Sequence, residues 1–61
     1  MIEALPEILK IADCARFLRV SRHTVYAEIA AGRLRTIKMG DRVWRVSRRE
    51  LERWINEHEG N

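Results

Sequence analysis

The spacing of apolar residues in this chain changes from helical to alternating at Leu34 and returns to helical after Ser47, and that sequence of periods limits the folds open to it. From Ile11 to Leu18 the apolar positions Ile11, Ala15 and Leu18 recur at helical spacing, with Cys14 and Phe17 beside them. From Leu34 onward the period is two. Ile37 and Met39 fall on one face and Thr36 and Lys38 on the other; Val43 and Arg45 then alternate with Trp44 and Val46. Gly40-Asp41 between the two runs marks a tight turn, so the segment reads as a β-hairpin. A chain of 61 residues holds one domain at most. At this size only roughly 60% of the unfolded chain's surface is buried, which leaves no room for a deep cleft between lobes.

Local signals place the remaining elements. Asp13 in the first turn of the first helix suits the positive end of its dipole. Arg19-Val20 breaks the pattern, and Val20 is expected to plug the turn into the core. Ser21 is a good N-cap for a second helix from Arg22 to about Ala31, with Val25 and Ile29 inward and Gly32 as its left-handed stop. Two short helices joined by about three or four residues have helix-turn-helix spacing. Ser47-Arg48-Arg49-Glu50 fits a capping box before a third helix carrying Leu51, Trp54 and Ile55, which fades at Gly60. Pro6 discourages helix at Leu5 and Pro6, and Ile8-Leu9 either anchors the preceding arm or forms a very short strand. The expected architecture is mainly α with a small β-hairpin: a winged helix-turn-helix with a two-stranded wing and a C-terminal helix. Its parts are an arm over 1–7, the domain over 8–59 and a tail over 60–61.

Charge is segregated along the chain. Net charge is only +3, but Arg19 to Arg49 holds nine Lys/Arg against two acids, Glu28 and Asp41. Compensating acids sit at the ends: Glu3 and Glu7, then Glu50, Glu52, Glu57 and Glu59. A concentrated basic zone suits a polyanion, whether DNA, RNA or an anionic membrane. The bland alternative is a solvated charged surface. A single cysteine allows no internal disulfide, and no secretory signal or apolar membrane span is visible, so a cytoplasmic protein is expected. Cys14, His23 and His58 lack the spacing of a zinc site; Cys14 reads as a packing residue and His58 as solvated near a helix end. No carboxylate pair, serine-histidine-acid set or glycine-rich phosphate loop stands out, so no catalysis, cofactor or metal is expected. Trp44 and Trp54 are in phase with the apolar stripes and read as core, which leaves no aromatic platform for single-stranded RNA.

With Val25 and Ile29 inward, Arg22, His23, Tyr26, Ala27 and Ala30 face outward. The first residues of the second helix are those that reach base edges in a helix-turn-helix. Arg22 has the donor pair that guanine O6 and N7 accept, and the amides at the Ser21–Thr24 helix start suit a phosphate. Lys38 and Arg42 flank the hairpin turn, with Arg35 and Arg45 further down the strands. A basic hairpin tip can follow an adjacent minor groove. The competing reading is an edge hairpin guarded by charge against aggregation.

These segments together resemble the excisionase-type, MerR-like winged helix-turn-helix family. The resemblance is carried by Leu5-Pro6-Glu7-Ile8-Leu9, by Phe17 through Tyr26, by Gly32-Arg33-Leu34, by Trp44-Arg45-Val46 and by Arg49 through Trp54. It implies a second helix in the major groove, with Ser21, Arg22, His23, Thr24 and Tyr26 at the DNA, and a wing in the minor groove, with Arg35, Lys38, Arg42 and Arg45. It also implies an excisionase that binds repeated sites on double-stranded DNA, bends them and biases an integrase or recombinase toward excision. Cooperative self-association on DNA is a further expectation. A small MerR-like transcription regulator is the alternative within the family. Outside it, the acidic third helix (Glu50, Glu52, Glu57, Glu59) allows a protein-interaction module without DNA binding. The family often has Gly at the position of Arg19 and Ser or Thr at that of Lys10.

Overall fold

Among the described residues, three α-helices are strung around a small antiparallel sheet. In a computed structural model, which describes residues 1–59, the elements are β1 (Ile8–Lys10), α1 (Ile11–Leu18), α2 (Arg22–Ala30), β2 (Ile37–Lys38), β3 (Trp44–Ser47) and α3 (Arg48–Glu59). The expected tail at 60–61 lies outside the described residues. The architecture is the winged helix-turn-helix that the change of period predicts, but the sheet has three strands rather than two, in the order β1-β3-β2. β1 runs antiparallel to β3 with Ile8, Leu9 and Lys10 opposite Ser47, Val46 and Arg45. Ile8-Leu9 thus does both things expected of it. Leu9 and Val46, directly opposed, are fully buried. A lone two-stranded ribbon is marginal in water, and the third strand supplies what the wing's own pairing lacks.

The arm before β1 is docked. After a single 3-10 turn at Ile2–Ala4, the Arg48 guanidinium donates to the carbonyls of Glu3 and Leu5 at 3.1 and 2.9 Å. The Arg48 amide donates to Glu7 O at 2.8 Å. The core consists of Leu9, Ile11, Cys14, Ala15, Val25, Leu34, Val46 and Leu51, with Phe17, Leu18, Ile29, Trp44, Trp54 and Ile55 half-buried around it. Burial pushes the Cys14 thiol up to about 11, consistent with a packing residue.

Helix ends follow local chemistry. Lys10 offers no hydroxyl, so the Asp13 carboxylate accepts from the Lys10 amide at 3.1 Å and caps α1 from within. α1 ends at Arg19, which is left-handed at φ 59° and ψ 43°. The Arg19 and Val20 amides close back onto Arg16 O and Ala15 O at 3.3 and 3.0 Å. Val20 does not plug the core; it is 39% exposed. Backbone hydrogen bonds alone close this turn, and Cys14, Ala15 and Val25 already fill the space that α1 and α2 enclose. Ser21 caps α2 as expected, its hydroxyl accepting from the Thr24 amide at 3.1 Å, and Gly32 stops the helix at φ 80°.

At α3 only half of the expected capping box forms. Ser47 Oγ accepts from the Glu50 amide at 3.0 Å. The Glu50 carboxylate turns instead to the Arg35 amide, at 2.9 Å, and to the Arg53 guanidinium. The backbone of Ser47 is committed to the sheet, so the carboxylate is drawn to the chain entering the wing.

Arg19 is the one non-glycine residue with positive φ among those described. A left-handed side-chain-bearing residue costs roughly 1–2 kcal/mol, against which glycine adds unfolded-state entropy of about 0.4–1 kcal/mol. Arg19→Gly is therefore expected to raise stability by about 0.5–1 kcal/mol in urea or thermal unfolding. An unchanged or lower midpoint would show that the turn carries no strain.

Candidate nucleic-acid interface

α2 has one face for the core and one for solvent. Val25 is buried and Ile29 half-buried, whereas Arg22, His23, Tyr26, Ala27 and Ala30 are all exposed, as their spacing predicts. The Ser21 and Thr24 hydroxyls lie 3.0 Å apart and are occupied with the cap. The amides of Arg22 and His23, in the first turn, have no acceptor within the helix and point past its N-terminus. The outward surface therefore starts with two long cationic or polar side chains over free amides. It continues with Tyr26 and two alanines, which let another surface approach closely.

The back of α2 is held by Glu28. Its carboxylate takes two parallel hydrogen bonds from the Arg33 guanidinium, at 3.0 and 2.9 Å, and one from Trp54 Nε1 at 3.0 Å. The Glu28 carbonyl also accepts from the Arg33 and Leu34 amides at 3.0 and 3.3 Å. Paired, charge-assisted contacts of this kind fix orientation as well as adding energy. The Arg33 guanidinium and the Trp54 ring nitrogen hold the Glu28 carboxyl down at about 2. His58, expected to be merely solvated, stacks its ring on Trp54 with centroids 3.8 Å apart. Its Nδ1 lies 2.7 Å from Trp54 O and its Nε2 3.9 Å from Glu28. One helical turn separates the two rings, which puts them face to face, while His58 stays partly open to water.

The wing is rooted in α3 and paired with β3. Arg53 donates to Arg33 O at 2.9 Å, and Glu50 takes the Arg35 amide, so both backbone neighbours of the buried Leu34 are fixed. β2 then pairs with β3, Ile37 opposite Arg45 and Lys38 opposite Trp44, and the Met39 amide donates to Val43 O at 2.7 Å. Directly opposed residues share a face. Lys38 thus lies with Trp44, its ammonium 5.4 Å from the ring centroid, while Arg45 lies on the opposite face with Ile37 and Lys10. Arg42 stands exposed in the turn, and Arg35 stands at the root beside Glu50. The four wing residues singled out from the sequence therefore occupy a root, a tip and two opposite faces.

The nine basic residues of the central zone also differ in how free they are. Arg33 is bound to Glu28, Arg48 to the arm and Arg45 to Trp44 O at 2.9 Å. Arg22, Lys38 and Arg42 make no ion pair among the described residues. The residues that sequence reasoning missed are the braces: Glu28, Arg33, Arg48, Glu50 and Arg53. The available signal was Glu28 itself, one of two acids within the basic stretch. Among the described residues no three His, Cys, Asp or Glu side chains gather as a metal site requires, and no helix is long and apolar enough to cross a membrane.

A capped second helix with an open polar face, braced from behind and followed by a cationic hairpin, defines a winged helix-turn-helix of the DNA-binding class. Residues 8–59 match the helix-turn-helix domain family. The chain is 42% identical over 48 residues to the excisionase of Mycobacterium phage D29, an alignment covering 79% of this chain and 86% of that protein. The chain belongs to the helix-turn-helix domain family, in its excisionase-type form.

The acid dependence of folding follows from Glu28. Its carboxyl is depressed from the ordinary 4.5 to about 2, so its contribution is fully present above 4.5 and fades as pH falls toward 2. Glu28→Gln is expected to be less stable at neutral pH and to show a shallower loss between pH 4.5 and 2 than the wild type, read by chemical unfolding across that range. Parallel pH profiles for the two proteins would show that Glu28 carries no such linkage.

Proposed function

We propose that this chain is an excisionase that binds double-stranded DNA in the cytoplasm and biases an integrase or recombinase toward excision. The single observation that carries the reading is α2: Ser21 caps it, Val25 and Glu28 fasten its back, and Arg22 and His23 stand free at its exposed N-terminus. The relationship to a phage excisionase supports the role. In the major groove, Arg22 and His23 reach base edges, Tyr26 lies against the backbone or a thymine methyl, and the helix start capped by Ser21 and Thr24 presents the Arg22 and His23 amides to a phosphate. In the wing, Lys38 and Arg42 enter or border the minor groove, with Arg35 and Arg45 adding positive field from the root and the outer face.

The role asks for no covalent chemistry from this chain. Its contribution is binding and bending, and the strand chemistry belongs to the recombinase. One such domain offers little contact area, so occupancy of repeated sites is cooperative, between copies or with the recombinase.

Arg22→Ala is expected to weaken specific binding by ~1–3 kcal/mol and to relax preference at one base pair. Measured against a panel of single-base variants of the site, unchanged discrimination would remove α2 as the reading element. Arg42→Ala is expected to weaken binding to all sequences alike and to lower the slope of log affinity against log salt by roughly one. A sequence-selective loss would instead make Arg42 a base contact.

A further inference from the structure

The wing tip carries apolar side chains as well as cations, and attraction to phosphate accounts for the cations alone. Met39 and Val43 meet across the turn, the Met39 amide donating to Val43 O at 2.7 Å, with Gly40, Asp41 and Arg42 between them. They are 55 and 41% exposed, and after Met1 no large apolar side chain among the described residues is as open to water as Met39. Strand alternation puts the pair on the face opposite Lys38 and Trp44. Gly40 is left-handed at φ 95°, and a Cβ there would meet nothing within 4 Å, so the turn projects into open space. Charge can guard a free hairpin against aggregation, but an exposed apolar pair at its end works against that guard.

The charges around the pair decide how the ribbon can meet a duplex. Asp41, in the turn itself, is exposed and is repelled by phosphate, so the hairpin presents a side to DNA and not its apex. One side is occupied by Lys38, its ammonium 5.4 Å from the Trp44 ring centroid. The other offers Met39 and Val43, with Arg45 further down the same face and Arg42 beside Val43 in the turn. An apolar side chain flanked by cations on a projecting ribbon is the equipment of a minor-groove wedge, in which a cation meets phosphate and the apolar group parts a base step. Methionine suits the task, being unbranched and polarisable, and the β-branched Val43 opposite is a stiff backing for it. A wedge also needs a fixed base, and the root of the hairpin is held at the Arg35 amide by Glu50 and at Arg33 O by Arg53.

We propose that Met39, backed by Val43, enters the minor groove beside the wing and presses between two adjacent base pairs, partly unstacking them, while Arg42 holds a flanking phosphate. Unstacking is easiest at pyrimidine–purine steps such as TA and CA, and hardest in stiff A-tracts. The wing thereby selects sequence without a hydrogen bond to a base: α2 reads base edges, and Met39 reads how readily one step opens. This wedge rests on the DNA-binding reading above and adds to it a preferred base step and the side chain that opens it.

The test uses a duplex selected from a random pool by the wild-type chain, with 2-aminopurine, whose fluorescence rises on unstacking, walked through the footprint one position at a time. With saturating wild type, one step is expected to brighten roughly threefold, as partial insertion of a side chain requires. Met39→Ala at saturation returns that step to the level of the free duplex, and Met39→Leu keeps the signal. Met39 lies outside the core, so its truncation removes no buried contact. Replacing the brightened step by AA is expected to weaken wild-type binding about tenfold and Met39→Ala binding less than twofold. Brightening by Met39→Ala equal to the wild type, or an equal loss for both proteins at the AA step, would overturn the wedge. Wild type that binds with no step brightened would also overturn it and leave the reading of α2 standing. Wild type that binds no duplex in the pool would bring down both.

Discussion

The bidentate pair between Glu28 and Arg33 is the join on which the rest of the molecule depends. Glu28 belongs to the second helix, Arg33 to the connection into the wing, and Trp54, which shares the same carboxylate, to the third helix. An exposed ion pair contributes little, about 0–1 kcal/mol, because two long side chains must be held still in water. Here the carboxylate is only 18% exposed and accepts three hydrogen bonds from partners already fixed by neighbours. Leu34, one residue beyond Arg33, is buried, and its flanking backbone is fastened by Arg53 and Glu50. The relation between helix and wing is therefore set by charge-assisted contacts arranged around one apolar plug. With eight buried apolar side chains among the described residues, polar braces fix angles that packing alone leaves loose.

This arrangement explains why a basic region can be both scaffold and contact surface. The cations nearest acids are consumed internally: Arg33 by Glu28, Arg53 by Glu50 and Glu57. Arg48 is consumed by backbone carbonyls of the arm. Among those left without an ion pair in the described residues are Arg22 at the start of the second helix and Lys38 and Arg42 in the hairpin, all exposed. Linear charge thus overstates the field available to a partner, because part of it is spent holding the fold together.

Much of this was legible in the sequence because short-range rules govern it. Helical spacing from Ile11, the Ser21 cap, the Gly32 stop and alternation after Leu34 each depend on residues within a few positions of one another, and each element lies where those rules put it. The features that were not legible depend on partners far along the chain. At Ile8–Lys10 the sequence offers an anchor or a very short strand without deciding between them; what makes the segment both is Val46, waiting opposite Leu9. Glu50 satisfies the capping formula in sequence, yet its carboxylate is claimed by Arg35 and Arg53. Val20 is apolar beside a turn, but a left-handed Arg19 closes that turn without it. For the interface, the outward set on the second helix followed from angular spacing alone, whereas the division of the wing cations between two faces required the strand register.

The short first strand has a mechanical consequence. β3 is hydrogen-bonded on both flanks only where β1 runs beside it, and that stops at the Lys10–Arg45 pair. Beyond Arg45 the hairpin is a two-stranded ribbon, free of the rest of the sheet, and such ribbons twist and flex far more readily than three-stranded ones. A three-residue segment near the N-terminus thus sets the clamping point of a cantilever. Lengthening it by a residue pair would stiffen the projecting hairpin, and shortening it would let the hairpin swing, with no residue at the tip altered.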